Sequence, residues 1–169
     1  MKETPQEYAK RMLGHTENAD PLKIQAAAAK KIERLIKRVL LAKLRKRRAQ
    51  DKWSISEILA HLVDTEIVVA WRMRSILGAP GTPIQAFDQD RWVQAGHYDQ
   101  RDPRQSLEQY RVPRETNLAL MKSLTPEQWK HFGMHAERGE ESIEHILRMM
   151  AGHDLNHPGQ MERILSSKE

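Results

Sequence analysis

Four stretches of this chain place apolar residues three and four positions apart, and each opens on a residue that caps helices. One side chain in each such repeat falls on the same face of a helix, so each stretch predicts an amphipathic helix that has to bury one stripe against a neighbour. The first runs near 22–40, after Asp20-Pro21, with Ala26, Ala29, Ile32, Leu35, Ile36, Val39 and Leu40 on its stripe. The second runs near 54–77, where Ser54 and Glu57 form a capping box ahead of Ile55, Ile58, Leu59, Leu62, Val69, Met73, Ile76 and Leu77, and Gly78-Ala79-Pro80-Gly81 stops it. The third, near 103–124, follows Asp102-Pro103 through Leu107, Tyr110, Leu118, Met121 and Leu124. Pro113 inside it predicts a kink or a break before Arg114. The fourth, near 142–166, opens on Ser142 and carries Ile143, Ile146, Leu147, Met149, Met150, Met161, Ile164 and Leu165. Four one-sided helices in a chain of 169 residues predict an all-α protein, a four-helix bundle forming a single domain over 1–169 with one long crossover connection.

The segments between are shorter or less regular. Thr4-Pro5-Gln6-Glu7 predicts a short helix over Tyr8 to Leu13, ended near Gly14. Lys43 to Lys52 reads as a basic connector. Thr82 to Asp102 reads as a long ordered connection covering one end of the bundle, because Phe87, Trp92 and Tyr98 need something to pack against. Thr125-Pro126 caps a short helix with Trp129, and His131 to Glu141, with Gly133 and Gly139, reads as loop.

The absence of cysteine excludes disulfides, thiolate zinc sites, iron–sulfur clusters and a cysteine nucleophile, so any metal must sit on His, Asp, Glu or water. The N-terminal residues lack the apolar core of a signal peptide, and no apolar run approaches the roughly 18 residues of a membrane span, which predicts a soluble, cytoplasmic protein that does not engage a membrane. The formal charge of +5 is local. Residues 34–52 hold nine cations against Asp51 alone, and the rest of the chain carries 19 cations against 22 acids. A solvated helix end accounts for that cluster, and nucleic acid is not the expected partner.

Chemistry points to the histidines. His153 and His157 are four apart, hence on one helix face, and align with Ile146, Met149, Met150 and Ile164 on the inward stripe. His61 lies at the edge of the buried stripe of the second helix, with Glu57 and Asp64 a turn away on either side, either of which could accept its second ring proton. Buried histidines without partners are costly, and a shared metal ion would satisfy all three. His131 and His135 share the same spacing but have Gly133 between them and no surrounding periodicity. The pattern is neither of two better-known metal motifs. His153 to His157 reads H-D-x-x-H where zinc proteases have H-E-x-x-H, and no histidine has the Glu three residues before it that di-iron bundles use.

Taken in order, Trp53-Ser54-Ile55-Ser56-Glu57-Ile58-Leu59-Ala60-His61, then Phe87-Asp88-Gln89-Asp90-Arg91-Trp92, then Glu137-Arg138-Gly139, then His153-Asp154-Leu155-Asn156-His157 with Gln160, the chain resembles the DinB-like (DinB/YfiT-type) superfamily of metal-binding bundles over most of its length. The resemblance implies a four-helix bundle of up-down-down-up type, a divalent metal ion (Zn, Ni or Fe) on His61, His153 and His157, and often a homodimer. Members with assigned chemistry look like metal-dependent thiol transferases and isomerases. The sequence departs from the pattern at Pro158, which removes a helix hydrogen bond to the carbonyl of Asp154 and disfavours helical geometry at His157.

The expected function is a metal-dependent enzyme acting on a small molecule, with thiol-dependent transferase-like or hydrolase-like chemistry at a site with open positions. A nonenzymatic metal-binding or stress-response bundle is the alternative. The expected partner is a small-molecule substrate, a thiol among the candidates, and Asp64 is the candidate orienting or catalytic base.

Overall fold

The computed structural model describes residues 3–167. Helix α1 spans Pro5–Gly14 and starts on a complete capping box, Thr4 with Glu7. Helix α2 spans Pro21–Ile36, capped by Asp20, whose carboxylate accepts from the N–H groups of Leu22 and Lys23. It ends four residues before the expected boundary, and Leu40 is exposed instead of joining the stripe. A short helix α3, Leu41–Arg45, interrupts the expected basic connector. Helix α4, Ile55–Gly78, opens on the Ser54–Glu57 capping box, and Arg47 closes on the buried Glu57 carboxylate.

The crossover contains strand β1, Pro83–Ile84, helix α5, Gln89–Ala95, and a 3-10 turn at Tyr98–Gln100. Of its aromatic residues, Tyr98 is fully buried and Trp92 is partly exposed. Helix α6, Pro103–Ser123, is uninterrupted, so Pro113 neither ends nor splits it. Tyr110 and Arg114, on either side of the proline, are both buried and hold the turn in place.

The region 131–141 is not a loop. Strands β2, Phe132–His135, and β3, Gly139–Ser142, form an antiparallel hairpin, and β1 adds to β2 in parallel with Ile84 opposite His135. Gly139 turns the hairpin at φ 82°, a conformation glycine adopts without strain. Gly133 is required by close approach, since a Cβ there would lie 2.6 Å from Ile84 Cδ1. Trp129 lies in a single 3-10 turn, Gln128–Lys130, in place of a short helix.

Helix α7, Ile143–Ser166, runs through Pro158 without interruption. Two apolar clusters fix the directions of the four long helices. At one end Ala28, Ile32 and Ile36 of α2 meet Ile55, Ile58 and Leu62 of α4, Leu107 and Tyr110 of α6, and Met161 of α7. At the other, Leu22 joins Val69, Met73 and Ile76, Leu118 and Met121, and Ile143, Ile146, Leu147 and Met150. Thus α2 and α7 run one way and α4 and α6 the other, an up-down-down-up bundle whose parallel pair α4 and α6 requires the crossover. No helix among the described residues is long and apolar enough to cross a membrane.

Candidate metal centre

His61 on α4 and His153 and His157 on α7 meet between the two helices, all buried, with one ligand atom of each within 4.8 Å of the others. The Nε2 atoms of His61 and His153 are 3.0 Å apart, and those of His153 and His157 are 3.1 Å apart. One turn of helix separates His153 from His157, as their spacing predicted. Helix α7 continues past Pro158, so the turn carrying both rings is intact.

Burial holds His61 well below the ordinary imidazole range, with repulsion from His157 adding to it. Burial does the same to His153, reinforced by His157, His61 and Arg114. His157 is pushed down to about 4, again chiefly by burial, against the pull of its hydrogen bond with Gln160. All three rings are therefore neutral near pH 7, the form that ligates metal.

Hydrogen bonding alone does not satisfy this arrangement. His157 Nδ1 lies 3.1 Å from Gln160 Oε1, so it donates there and turns the lone pair of Nε2 toward His153. With its proton on Nδ1, His153 would face the His157 lone pair with its own, and Nδ1 would be a buried donor without a partner. With the proton on Nε2, that one proton would have to serve both neighbours. A cation accepting three lone pairs removes the conflict. In a tetrahedral site with Zn–N bonds of about 2.0–2.1 Å, ligand nitrogens sit about 3.3 Å apart. The observed separations of 3.0 and 3.1 Å are close to that spacing, so the donor set fits a divalent ion.

Neither carboxylate considered as a partner for His61 serves that role. Glu57 is taken by Arg47 and by the backbone N–H of Ser54. Asp64 accepts from Tyr98 Oη at 2.6 Å and from both terminal nitrogens of Arg101, at 2.8 and 3.1 Å, and so fastens the crossover to α4. The Thr65 hydroxyl lies 3.4 Å from His61 Nε2. His131 and His135 stay apart from the cluster.

Below the histidines lies a charged network that apolar periodicity does not reveal. Arg114 is buried between Glu66 and Asp154, with its Nη2 2.7 Å from Glu66 Oε2 and its Nη1 on Asp154. Tyr110 donates to Asp154 at 2.9 Å, and Asn117 donates to Glu66 at 2.8 Å. Burial pushes the Asp154 carboxyl up while Arg114 pulls it down. Because Asp154 directly follows His153, this network fixes the helical turn that aims His153 and His157. The signal for it was a charge standing on an apolar stripe, Arg114 between Tyr110 and Leu118.

A cavity of about 460 Å³ opens beside His61 and His153. One side is the α4 stripe Thr65, Val69 and Arg72, and the other is Ile146, Met149 and Met150 of α7. Helix α1 contributes Tyr8, the crossover contributes Phe87, and the hairpin contributes His135 and Arg138.

Residues 24–161 match the model of the DinB superfamily. The chain belongs to the DinB superfamily. A protein of Oceanobacillus iheyensis named putative metal-dependent hydrolase is 25% identical over 119 residues, 70% of this chain and 68% of its own. Bacillus subtilis YfiT, described as a probable metal-dependent hydrolase with an unusual four-helix bundle topology, superposes with a TM-score of 0.79 at 19% identity, covering 85% of this chain and 83% of YfiT. The mycothiol-dependent maleylpyruvate isomerase superposes with a TM-score of 0.62 at 14% identity, covering 80% of this chain and 58% of the isomerase. The four-helix bundle is therefore an architecture shared with YfiT, as the sequence motifs implied.

Proposed function

We propose that this protein is a divalent-metal-dependent enzyme, with His61, His153 and His157 as ligands and hydrolysis of a small molecule in the adjoining cavity as its reaction. The observation that carries the reading is the convergence of three buried, neutral imidazoles, two of which, His61 and His153, line a cavity large enough for a small ligand. The relative from Oceanobacillus iheyensis, by its name, supports the hydrolytic reading. Zn, Ni and Fe all suit an imidazole set.

When bound, the ion supplies Lewis acidity, which lowers the pKa of a coordinated water or thiol toward neutrality. This chain's own residues do the rest. Gln160 orients His157, the Arg114 network fixes the turn at Asp154, and Val69, Met149 and Met150 make the cavity beside the site apolar. Asp64 positions the crossover through Tyr98 and Arg101.

Thiol-dependent group transfer is a second reading, supported by the likeness to an isomerase named for its mycothiol dependence. Two experiments separate the cases. Protein purified without an affinity tag is expected to hold metal that His61→Ala and His153→Ala lose; undiminished metal in both variants ends the proposal. The loaded protein is then assayed on ester and amide panels alone, and on electrophiles with glutathione, bacillithiol or mycothiol. Turnover without thiol supports hydrolysis, turnover only with thiol supports transfer, and none in either leaves a nonenzymatic metal-binding protein.

A cytoplasmic homodimer completes the proposal. Ile67 and Trp71, one turn apart on α4, are 56% and 73% exposed and offer an apolar patch for a two-fold contact. Light scattering is expected to give a dimer for the native chain and a monomer for Trp71→Glu.

A further inference from the structure

The far end of the cavity holds a buried cation with no ion-pair partner among the described residues. Arg72 is 8% exposed and lines the cavity. Its Nη2 donates to the backbone carbonyl of Gln85 at 2.6 Å, and its guanidinium sits 5.6 Å from the centre of the Phe87 ring. Among the described residues no carboxylate lies within ion-pair distance of it. Burying an arginine without a counter-ion is costly. Burial, with repulsion from Arg138 and against the weaker pull of Glu141, lowers its pKa to about 10.

His135 adds a second donor. It is 4% exposed, it lines the same cavity, and its Nδ1 accepts the backbone N–H of Glu137 at 3.2 Å, which leaves the ring proton on Nε2. Burial, with Arg138 and Arg72 nearby, lowers its pKa and keeps it neutral. The other charged groups of the wall are committed. Arg138 is held by Glu141 at 2.6 Å, Glu3 is paired with Arg11 at 2.8 Å, Asp88 caps α5, and Asp90 sits in the first turn of that helix. Glu137 is exposed.

Position completes the pattern. His61, Thr65, Val69 and Arg72 follow one another along a single face of α4, and eleven residues of helix set His61 and Arg72 roughly 16 Å apart along its axis. Between them the wall is Val69, Ile146, Met149 and Met150. The cavity thus has a histidine end, an apolar middle and a cationic end.

We infer that Arg72 and His135 form an anchoring subsite for a carboxylate, and that the substrate is an apolar-chained monocarboxylic acid whose reacting group lies at the histidine end. One unneutralised cation matches one negative charge, and the guanidinium edge matches the two oxygens of a carboxylate. The inference takes from the proposed function only the location of the reacting end. Carboxylate binding at Arg72 does not depend on metal.

The test is calorimetric titration of the purified chain, metal-free and zinc-loaded, with straight-chain acids from butanoate to decanoate and their primary amides. At least one acid is expected to bind roughly 10- to 100-fold more tightly than its amide, the value of a hydrogen bond to a charged group. Arg72→Gln is expected to reduce that acid to the affinity of its amide without lowering the melting temperature, because it removes an uncompensated charge. His61→Ala is expected to lose metal while keeping the acid affinity, which separates a failure of the metal centre from a failure of the subsite. Equal binding of acids and amides, no acid binding in the native chain, or an acid affinity unchanged in Arg72→Gln would each overturn the inference. Tighter binding of octylphosphonate than of the matching acid would overturn the choice of a monoanion.

Discussion

Gly152 immediately precedes His153 and touches α1, which makes Gly152→Ala a sensitive probe of how the site is roofed. A Cβ at 152 would lie 2.6 Å from the carbonyl carbon and 3.0 Å from the Cα of Met12, and closer still to the Met12 carbonyl oxygen. These are backbone atoms, so rotating a side chain offers no relief. To restore ordinary contact, α1 has to retreat by about 1 Å or more, straining a cluster in which Met12 is fully buried against Met149 and Ala9. Overpacking of this kind costs about 1–3 kcal/mol, and full release of α1 would cost about the burial energy of a methionine, about 1.5–3 kcal/mol. The better helix propensity of alanine returns up to about 1 kcal/mol. A net loss of about 1–2 kcal/mol corresponds to a melting temperature lower by about 2–8 °C for a domain of this size. Hydrogen–deuterium exchange is expected to show faster exchange confined to residues 5–14, with α7 still protected and metal still bound. Unchanged exchange in α1 together with an unchanged melting temperature would refute the close packing of the two helices.

Three further outcomes follow from the same contacts. Arg114→Met leaves Glu66 and Asp154 buried without their cation and is expected to cost about 3–5 kcal/mol in urea unfolding; a loss below 1 kcal/mol would mean, at about the level of a surface pair, that the network is not closed. Gln160→Ala frees His157 Nδ1 and is expected to weaken metal binding by about 10- to 100-fold in competition with a chelator while leaving the fold intact. For Glu57, burial pushes the carboxyl up, but Arg47 and Ser54 together hold it below its ordinary 4.5. A depressed carboxylate stabilises the fold above its unfolded pKa and loses that contribution as pH falls through the folded one. The stability gap between the native chain and Glu57→Gln is therefore expected to be constant near neutrality and to close below pH 4.5, and a gap independent of pH would contradict the assignment.

What the sequence shows of this protein is what is local to it. The Ser54–Glu57 box, the Asp20 and Asp102 caps and the spacing of three and four are written within a turn or two, and those helices start where expected. The convergence of His61 with His153 and His157 was legible too, because histidines on apolar stripes of facing helices have nowhere else to go. Neither proline ends its helix, because a break costs more than one lost hydrogen bond when buried residues flank it: Tyr110 and Arg114 around Pro113, His157 and Met161 around Pro158. The sheet was hidden because its third strand, Pro83–Ile84, comes about fifty residues earlier and is two residues long. Arg72, Glu66 and Arg114 were missed for a different reason. Counting apolar positions treats a charge on a stripe as a gap, although here each such gap is a buried polar group.

The central claim is that one divalent ion sits between α4 and α7. Crystals of tag-free protein, measured at the absorption edges of zinc, nickel and iron, test it directly. The account predicts a single anomalous peak per chain within about 2.0–2.2 Å of the Nε2 atoms of His61, His153 and His157, with at least one further coordination position facing the cavity. A fully occupied metal elsewhere, with these three rings linked only by hydrogen bonds, would contradict it.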